Sequence, residues 1–455
     1  MVRRALTIAG SDSGGGAGIQ ADLKTFAALG VHGLCVITAI TAQNTYEVRA
    51  VHDVPLDIIR SQFEAVVEDI GVDAAKTGML SRKEVVELVA SLIKSYGIPT
   101  VVDPVMFAKS GAPLLKEDAV ESLIRYLIPV ATVVTPNRFE AERITGVQLR
   151  STEDAKRAAK IIVEDLGARA AVVKGGHIEG DESVDVLYVD GVFREFRSRR
   201  VQTKATHGTG CSFSAAIAAE LAKGRGIPEA VKIAKEFVTV AIEYGLEIGR
   251  GHGPVNPTAW LYIPAEKYRV LENLRKAVEV VEQNSDIILP LVPEVSMNIA
   301  MALPKPYAKS VRDVAAVPGR IVRAGNKVKA VMPPDFGVSR HLARAVLTAM
   351  KYDERVRAVA NVRFDEELVE IAKNLGYTVS FYDRSREPPE IKSVEGMSIS
   401  WGIEEAVKAA GGRVPDIVYH RGDWGKEPMI NIFGETATDV VNKVLALAKE
   451  YAKRI

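Results

Sequence analysis

The chain has 455 residues, too many for one typical hydrophobic core, so two or three domains are expected. Hydrophobic residues supply 47% and charged residues 26% without a low-complexity tract, which excludes a disordered or fibrous chain. Lysine and arginine (59) balance aspartate and glutamate (58) with no block of like charge, so no nucleic-acid partner is expected, and Cys35 and Cys211 cannot build a disulfide framework.

The amino terminus runs straight into a strand pattern, Ala5 to Ala9, without the apolar core of a signal peptide. No later stretch reaches the ~18 apolar residues of a membrane span, so a cytoplasmic protein with no membrane partner is expected. Further strands are predicted at Gly33 to Ala39, Asp73 to Thr77, Thr100 to Asp103, Thr132 to Thr135 and Ala170 to Lys174. Helical patterns lie between them at Ala21 to Leu29, Leu56 to Ile70, Arg82 to Tyr96 and Thr152 to Leu166. Such alternation implies an α/β domain: a mostly parallel sheet with helices on both faces and ligands at the carboxyl ends of its strands. Val184 to Val189 and Val192 to Phe196, joined by Asp190-Gly191, read as a hairpin with a primed turn. Helices follow at Gly210 to Lys223 and Pro228 to Ile248. The glycines and prolines of Gly249 to Pro257 mark a boundary.

Beyond it, a helix from Tyr268 to Gln283 opens a second α/β domain. Its predicted strands are Val328 to Met332, Val356 to Val362, Thr378 to Tyr382, Ile417 to His420 and Met429 to Phe433. Helices at Arg340 to Met350, Glu366 to Leu375, Ile403 to Ala409 and Ala437 to Lys453 separate them. The expected division is residues 1–262, a linker at 263–269, and 270–455.

The chemistry concentrates at strand ends. Thr206-His207-Gly208-Thr209-Gly210-Cys211 is a glycine-punctuated turn feeding a helix, and the unpaired N–H groups of a helix start bind anions. The loop from Gly10 to Asp22 fits neither a P-loop nor a dinucleotide fingerprint and reads as a close backbone wall for a flat substrate. Gln43, just past a strand, offers a donor and an acceptor suited to an aminopyrimidine edge. Asp103, with Asn137 and Glu140 of an Asn-x-x-Glu pair, is an oxygen set suited to Mg²⁺, or else caps helices. Lys174, before Gly175-Gly176-His177, either neutralises nucleotide phosphates or forms a structural ion pair; Thr206 is placed with it as a nucleotide contact.

Ala-Leu-Thr-Ile-Ala-Gly-Ser-Asp from Ala5, Gly-Gly-Ala-Gly-Ile-Gln-Ala-Asp-Leu-Lys-Thr-Phe from Gly15, Ala-Gln-Asn-Thr from Ala42, Lys-Thr-Gly-Met-Leu from Lys76, Lys-Gly-Gly-His from Lys174 and the turn at Thr206 resemble the hydroxymethylpyrimidine and phosphomethylpyrimidine kinases of thiamine biosynthesis. That family is ribokinase-like, and the resemblance spans about residues 1–262. It implies ATP and Mg²⁺, phosphorylation of a pyrimidine alcohol and then of its monophosphate, and a homodimer. It also implies that Gln43 reads the pyrimidine, that Asp22 and the backbone of Gly10 and Ala17 line its pocket, that Met79 packs on the ring, and that Gly208, Gly210 and Cys211 form the anion hole. Cys211 stands where many superfamily members carry an aspartate base; an ordinary thiol is a poor base unless the helix lowers its pKa. Phosphoryl transfer depends mostly on positioning and charge, so stabilisation of the transition state is its first role.

In the second domain, Arg320 beside Gly319 offers a planar fork to a phosphate, and Ser339-Arg340-His341 opens a helix with hydroxyl, cation and imidazole together. These segments, with Asp416 to Ile430, are similar to the thiamine-phosphate synthase domain fused to this kinase in archaea and some bacteria. The resemblance implies condensation of the pyrimidine diphosphate with thiazole phosphate, with Arg320 and His341 on the anions. Similar domains in transcriptional regulators bind thiamine phosphate without catalysis, which leaves a sensor as the alternative.

Overall fold

The computed structural model describes every residue except 1, 108–110, 112–113, 177–180, 393, 395, 424 and 455. His177, and Trp424 within the Asp416 to Ile430 segment, therefore lie outside the described residues. The chain divides into two compact units, Met1–Leu261 and Tyr262–Ile455. Among the described residues no helix is long and apolar enough to cross a membrane.

In the first unit the strands are β1 (Arg4–Asp12), β2 (His32–Gln43), β3 (Val48–Asp53), β4 (Ala74–Thr77), β5 (Thr100–Val102), β6 (Val133–Val134), β7 (Ala170–Val173), β8 (Glu182–Val189) and β9 (Val192–Arg199). They form one sheet in the order β3-β2-β1-β4-β5-β6-β7-β8-β9. The central pairings from β2 through β7 are parallel, while β3, β8 and β9 add antiparallel edges. Alternate residues of each strand enter separate cores: Leu6, Ile8, Val102 and Val134 face one, and Ala5, Val101 and Val133 the other. The β8–β9 turn has Asp190 and Gly191 at φ of 50° and 76°, the primed geometry their sequence calls for. The edge strand β3 was not expected, because its residues are half-buried or exposed and carry no apolar run.

The second unit contains β10 (Asn298–Ala302), β11 (Val314–Ala316), β12 (Ile321–Ala324), β13 (Lys327–Ala330), β14 (Asp335–Phe336), β15 (Ala358–Arg363), β16 (Val379–Phe381), β17 (Ile417–His420) and β18 (Met429–Gly434). Its main sheet runs β14-β11-β10-β15-β18-β17-β16 and is antiparallel except for the β16–β17 pair; β12 and β13 form a separate ribbon. Here too a core lies on each face, with Ile299 and Met301 on one side and Ala300 and Ala302 on the other.

The expected linker at 263–269 is instead inside one helix, Ala259–Gln283. The helix persists past Pro264 because Ile263, Val270, Leu274, Ala277 and Val281 form a periodic stripe packed on the second unit's core.

The loop that precedes the helix Thr209–Ala222 depends on Gly208, at φ 81°. A Cβ there would fall 1.8 Å from the Gly16 carbonyl oxygen. The left-handed backbone alone disfavours alanine by about 1–2 kcal/mol, and the forced shift adds about 1–3 kcal/mol. Gly208→Ala is therefore expected to lower the first unit's thermal transition well below that of Gly191→Ala, where a Cβ meets nothing within 4 Å.

Candidate functional site

Most of the first unit's expected site residues stand just past the carboxyl ends of parallel strands. Gln43 ends β2, Met79 follows β4, Asp103 follows β5, Asn137 follows β6 and Lys174 follows β7. They line one cavity of about 700 Å³, together with Gly10, Ala17, Glu140, Thr206, Gly208, Gly210 and Cys211. Asp22 is not at its wall. It is fully buried on the helix Gly18–Ala28, where it accepts from Lys76 Nζ at 2.9 Å and Thr7 Oγ1 at 2.6 Å.

Lys76 is the residue that sequence reasoning left without a role. It is 0% exposed, yet lines the cavity. Burial opposes its charge, but Asp22 first, then Cys211 and Asp103, outweigh that and hold its pKa above the ordinary lysine value. Burial acts the other way on Asp22 and pushes its carboxyl upward against Lys76. With Thr7 and Lys76 both donating to Asp22, the charged pair is the arrangement the geometry favours. A lysine inside the buried strand Ala74-Ala75-Lys76-Thr77 was the available signal, since such a residue needs a buried partner or a ligand.

Cys211 is the third residue of the helix that begins after Gly208, which has no side-chain cap. The helix start does not produce a thiolate: burial pushes the thiol up to about 11, against the opposing pull of Lys76 and the Gly18 N–H. At neutral pH it is a neutral donor in the first turn of a helix without a side-chain cap, beside a buried ammonium. Lys174 also faces this place; its Nζ is 3.1 Å from Asp103 Oδ1 and would be 3.2 Å from a Cβ on Gly210.

Asp12 and His207 add a clip that sequence reasoning missed. Asp12 accepts from the N–H groups of Gly14 (2.8 Å), Gly16 (3.1 Å) and Ala17 (2.8 Å), and from His207 Nε2 at 3.0 Å. Burial raises its pKa, but the His207 contact and the Gly14 and Ala17 N–H groups outweigh it and hold the carboxyl below its usual range. The Gln43 amide nitrogen lies 3.4 Å from the same ring nitrogen. Gln43 and the turn at His207 are thus neighbours in the cavity. The clip's signal was Asp12 in the opening motif and His207 in the turn.

Asn137 and Glu140 form a capping box for the helix Arg138–Thr145, with Glu140 N–H donating to Asn137 Oδ1 at 3.0 Å and Asn137 N–H to Glu140 Oε2 at 2.7 Å. Burial pushes Glu140 up to about 7; Lys174 opposes this and Asp103 adds to it. Among the described residues no group of three or more His, Cys, Asp and Glu side chains is placed to hold a metal. Asp103 and Glu140 fit Mg²⁺ only as a sparse oxygen set in which phosphate and water supply the remaining ligands.

In the second unit, Arg320 has φ 73° and donates through a terminal nitrogen to the Val295 carbonyl. Ser339 is the N-cap position of the helix Arg340–Ala349 but makes no capping bond, and His341 is in that helix's first turn. Loss of hydration around the ring, then the positive fields of Arg384, Arg320, Lys426 and Arg344, hold the His341 imidazole down to about 4, although the residue as a whole is exposed at the surface. The field of Arg320 thus reaches His341, which is neutral at physiological pH. His420 sits beside them and is likewise held down to about 4, by burial, Arg384 and His341.

Residues 12–256 match the phosphomethylpyrimidine kinase family, and residues 273–446 match the thiamine-phosphate synthase ThiN family. A hydroxymethylpyrimidine/phosphomethylpyrimidine kinase of Streptomyces coelicolor is 50% identical over 251 residues, covering 55% of this chain and 93% of the relative. A thiamine biosynthesis bifunctional protein, ThiED, of Geobacter sulfurreducens is 49% identical over 252 residues, covering 55% of this chain and 51% of the relative. Among solved structures, the ADP complex of Bacillus subtilis pyridoxal kinase is 42% identical with a TM-score of 0.54, covering 57% of this chain and 98% of that one. The Staphylococcus aureus pyridoxal kinase with AMP-PCP and pyridoxal is 40% identical with a TM-score of 0.53, covering 57% and 95%. The cavity at the strand ends and the first unit's sheet thus belong to a ribokinase-like kinase, and the chain is a member of the phosphomethylpyrimidine kinase family that carries a ThiN domain in its second unit.

Proposed function

We propose that the first unit phosphorylates 4-amino-5-hydroxymethyl-2-methylpyrimidine and then its monophosphate with ATP, and that the second unit condenses the resulting diphosphate with thiazole phosphate to thiamine phosphate. The observation that carries the kinase reading is the buried Lys76 ammonium beside Cys211 and an uncapped helix start, in the same cavity as Gln43. In it, Gln43 presents its amide to the pyrimidine edge, beside the His207 ring that donates to Asp12. Lys76, Lys174 and the N–H groups of the Gly208–Cys211 turn take the charge that develops on the transferred phosphoryl group, where preorganised donors contribute most. Mg²⁺ bound to the nucleotide would neutralise phosphate charge, with Asp103 and Glu140 holding its water shell. Cys211, held protonated at neutral pH by burial, donates to the phosphoryl group rather than taking the proton of the alcohol.

The second transfer needs no base, since its nucleophile is already a phosphate oxygen. For the first, the alcohol proton leaves late in a loose transition state and passes to an oxygen of the transferred phosphoryl group, so that no side-chain base is needed. Pyridoxal is a second substrate on this reading, supported by pyridoxal kinases at 42% and 40% identity over the same unit. For the second unit, Arg320 and neutral His341 draw off the diphosphate as the benzyl-like carbon becomes cationic, and the thiazole nitrogen attacks that carbon.

Replacing Lys76 by Met together with Asp22→Asn, so that no buried charge is left unmatched, is expected to reduce kinase kcat by about 100–1000-fold. Cys211→Ala is expected to cost within about 10-fold, and steady-state rates of both variants with ATP and the pyrimidine alcohol check the contrast. The wild-type pH–rate profile is expected to lack a thiol inflection between pH 7 and 9; one there that vanishes in Cys211→Ala would make the thiol a base. For thiamine phosphate formation by the full chain supplied with pyrimidine diphosphate and thiazole phosphate, no imidazole inflection is expected between pH 5.5 and 8. His341 and His420 are already neutral throughout that window, since both titrate at about 4.

A further inference from the structure

Arg384 follows β16 and begins the short helical turn Arg384–Arg386. It is only 7% exposed, and the nearest carboxylate, on Glu387, is 3.6 Å away, beyond a good hydrogen bond. Three buried polar atoms here have no hydrogen-bond partner: Arg384 Nε, Glu387 Oε1 and the Tyr382 hydroxyl. Buried polar atoms are nearly always satisfied, so a group of unspent ones at one place marks where a ligand's polar atoms belong.

The surroundings fix the sign of that ligand. Arg384 acts on His341 ahead of Arg320, Lys426 and Arg344, and it also acts on His420 and Tyr382. The Gly422 N–H donates to His420 Nδ1 at 3.1 Å, so the proton of the neutral ring is on Nε2, a donor. Arg344 lies directly over Gly396, where a Cβ would collide with its guanidinium, and Gly396 is the N-cap of the helix Met397–Ala409 with no side-chain cap. Cations, a neutral imidazole donor and two uncapped helix starts thus gather here; the carboxylate facing Arg384 is that of Glu387, while Glu427 accepts from the Glu294 and Val295 N–H groups beside Arg320.

We propose that Arg384 is a further ligand-binding residue of the second unit, its guanidinium gripping the diphosphate of the pyrimidine substrate alongside Arg320 and His341. Only the identity of the anion rests on the synthase reading; the cation cluster does not. The density of positive charge favours a diphosphate over a monophosphate. Arg384's planar fork supplies paired donors that a lysine could not.

The test is calorimetric binding of inorganic pyrophosphate to the full chain, with ATP absent, for wild type, Arg384→Gln, Arg384→Lys and the double variant Arg384→Gln/Glu387→Gln. The double variant removes both buried charges and so keeps the fold even if Arg384→Gln alone does not. A ligand role predicts at least about 10-fold weaker binding in the double variant, with partial recovery in Arg384→Lys. If instead Arg384 is a structural partner of Glu387, the double variant binds like wild type, and the proposal falls while the synthase reading stands. Wild-type turnover measured in parallel separates the two: a chain that binds pyrophosphate through Arg384 but makes no thiamine phosphate supports this site and sinks the synthase reading. Loss of affinity for inorganic phosphate with pyrophosphate binding unchanged would also overturn the assignment.

Discussion

The first unit depends on keeping an ammonium group in its interior. Lys76 and Asp22 are both fully buried and 2.9 Å apart, and removing one partner of such a pair typically costs about 3–5 kcal/mol. Asp22 gains a second donor from Thr7, so its charge is shared between β1 and β4, the neighbouring strands at the centre of the sheet. The pair thus fixes a positive charge at the cavity floor before any ligand arrives. The rest of the site follows from it. The Cys211 thiol stays protonated beside it, the glycine turn can approach a phosphate closely, and Lys174 is held on Asp103.

The second unit collects positive charge by a different route. Its sheet is mostly antiparallel, so the carboxyl ends of its strands do not gather on one edge as in the first unit. Its cations come from the loops after β11 and β16, from the helix Arg340–Ala349 and from the β17–β18 connection. Two histidines within that field are neutral at physiological pH, which makes them hydrogen-bonding groups rather than charges. A match to the thiamine-phosphate synthase family over residues 273–446 covers all of these residues.

Much of the first unit was legible because its signals are local. Alternating apolar runs and helical periods locate β1, β2, β4, β5 and β7, and Asp190-Gly191 specifies its own turn. Gln43, Asp103 and Lys174 could be picked out because a parallel sheet gathers its strand ends in one place. Lys76 was hidden by the same regularity: inside a short buried strand it carries no spacing pattern, and its partner Asp22 lies 54 positions away. Asn137 and Glu140 show the opposite ambiguity, since one Asn-x-x-Glu spacing serves both a capping box and an oxygen ligand set. In the second unit β10 and β11 were missed because Asn298–Ala302 and Val314–Ala316 are short, alanine-rich and buried on both faces, so neither alternates. Arg384 and His420 belong to separate segments, and only the pairing of β16 with β17 brings them together.

On the proposed function, one chain carries two sites that act in sequence on a shared diphosphate. The most direct test supplies the full chain with the pyrimidine alcohol, ATP, Mg²⁺ and thiazole phosphate, and follows thiamine phosphate by chromatography. Wild type is compared with a chain disabled at Lys76, a chain disabled at His341, and an equimolar mixture of the two. Product is expected from wild type and from the mixture, and none from the His341 variant alone, which accumulates pyrimidine diphosphate instead. Accumulation of that diphosphate by wild type, with no thiamine phosphate formed, would contradict the proposed function.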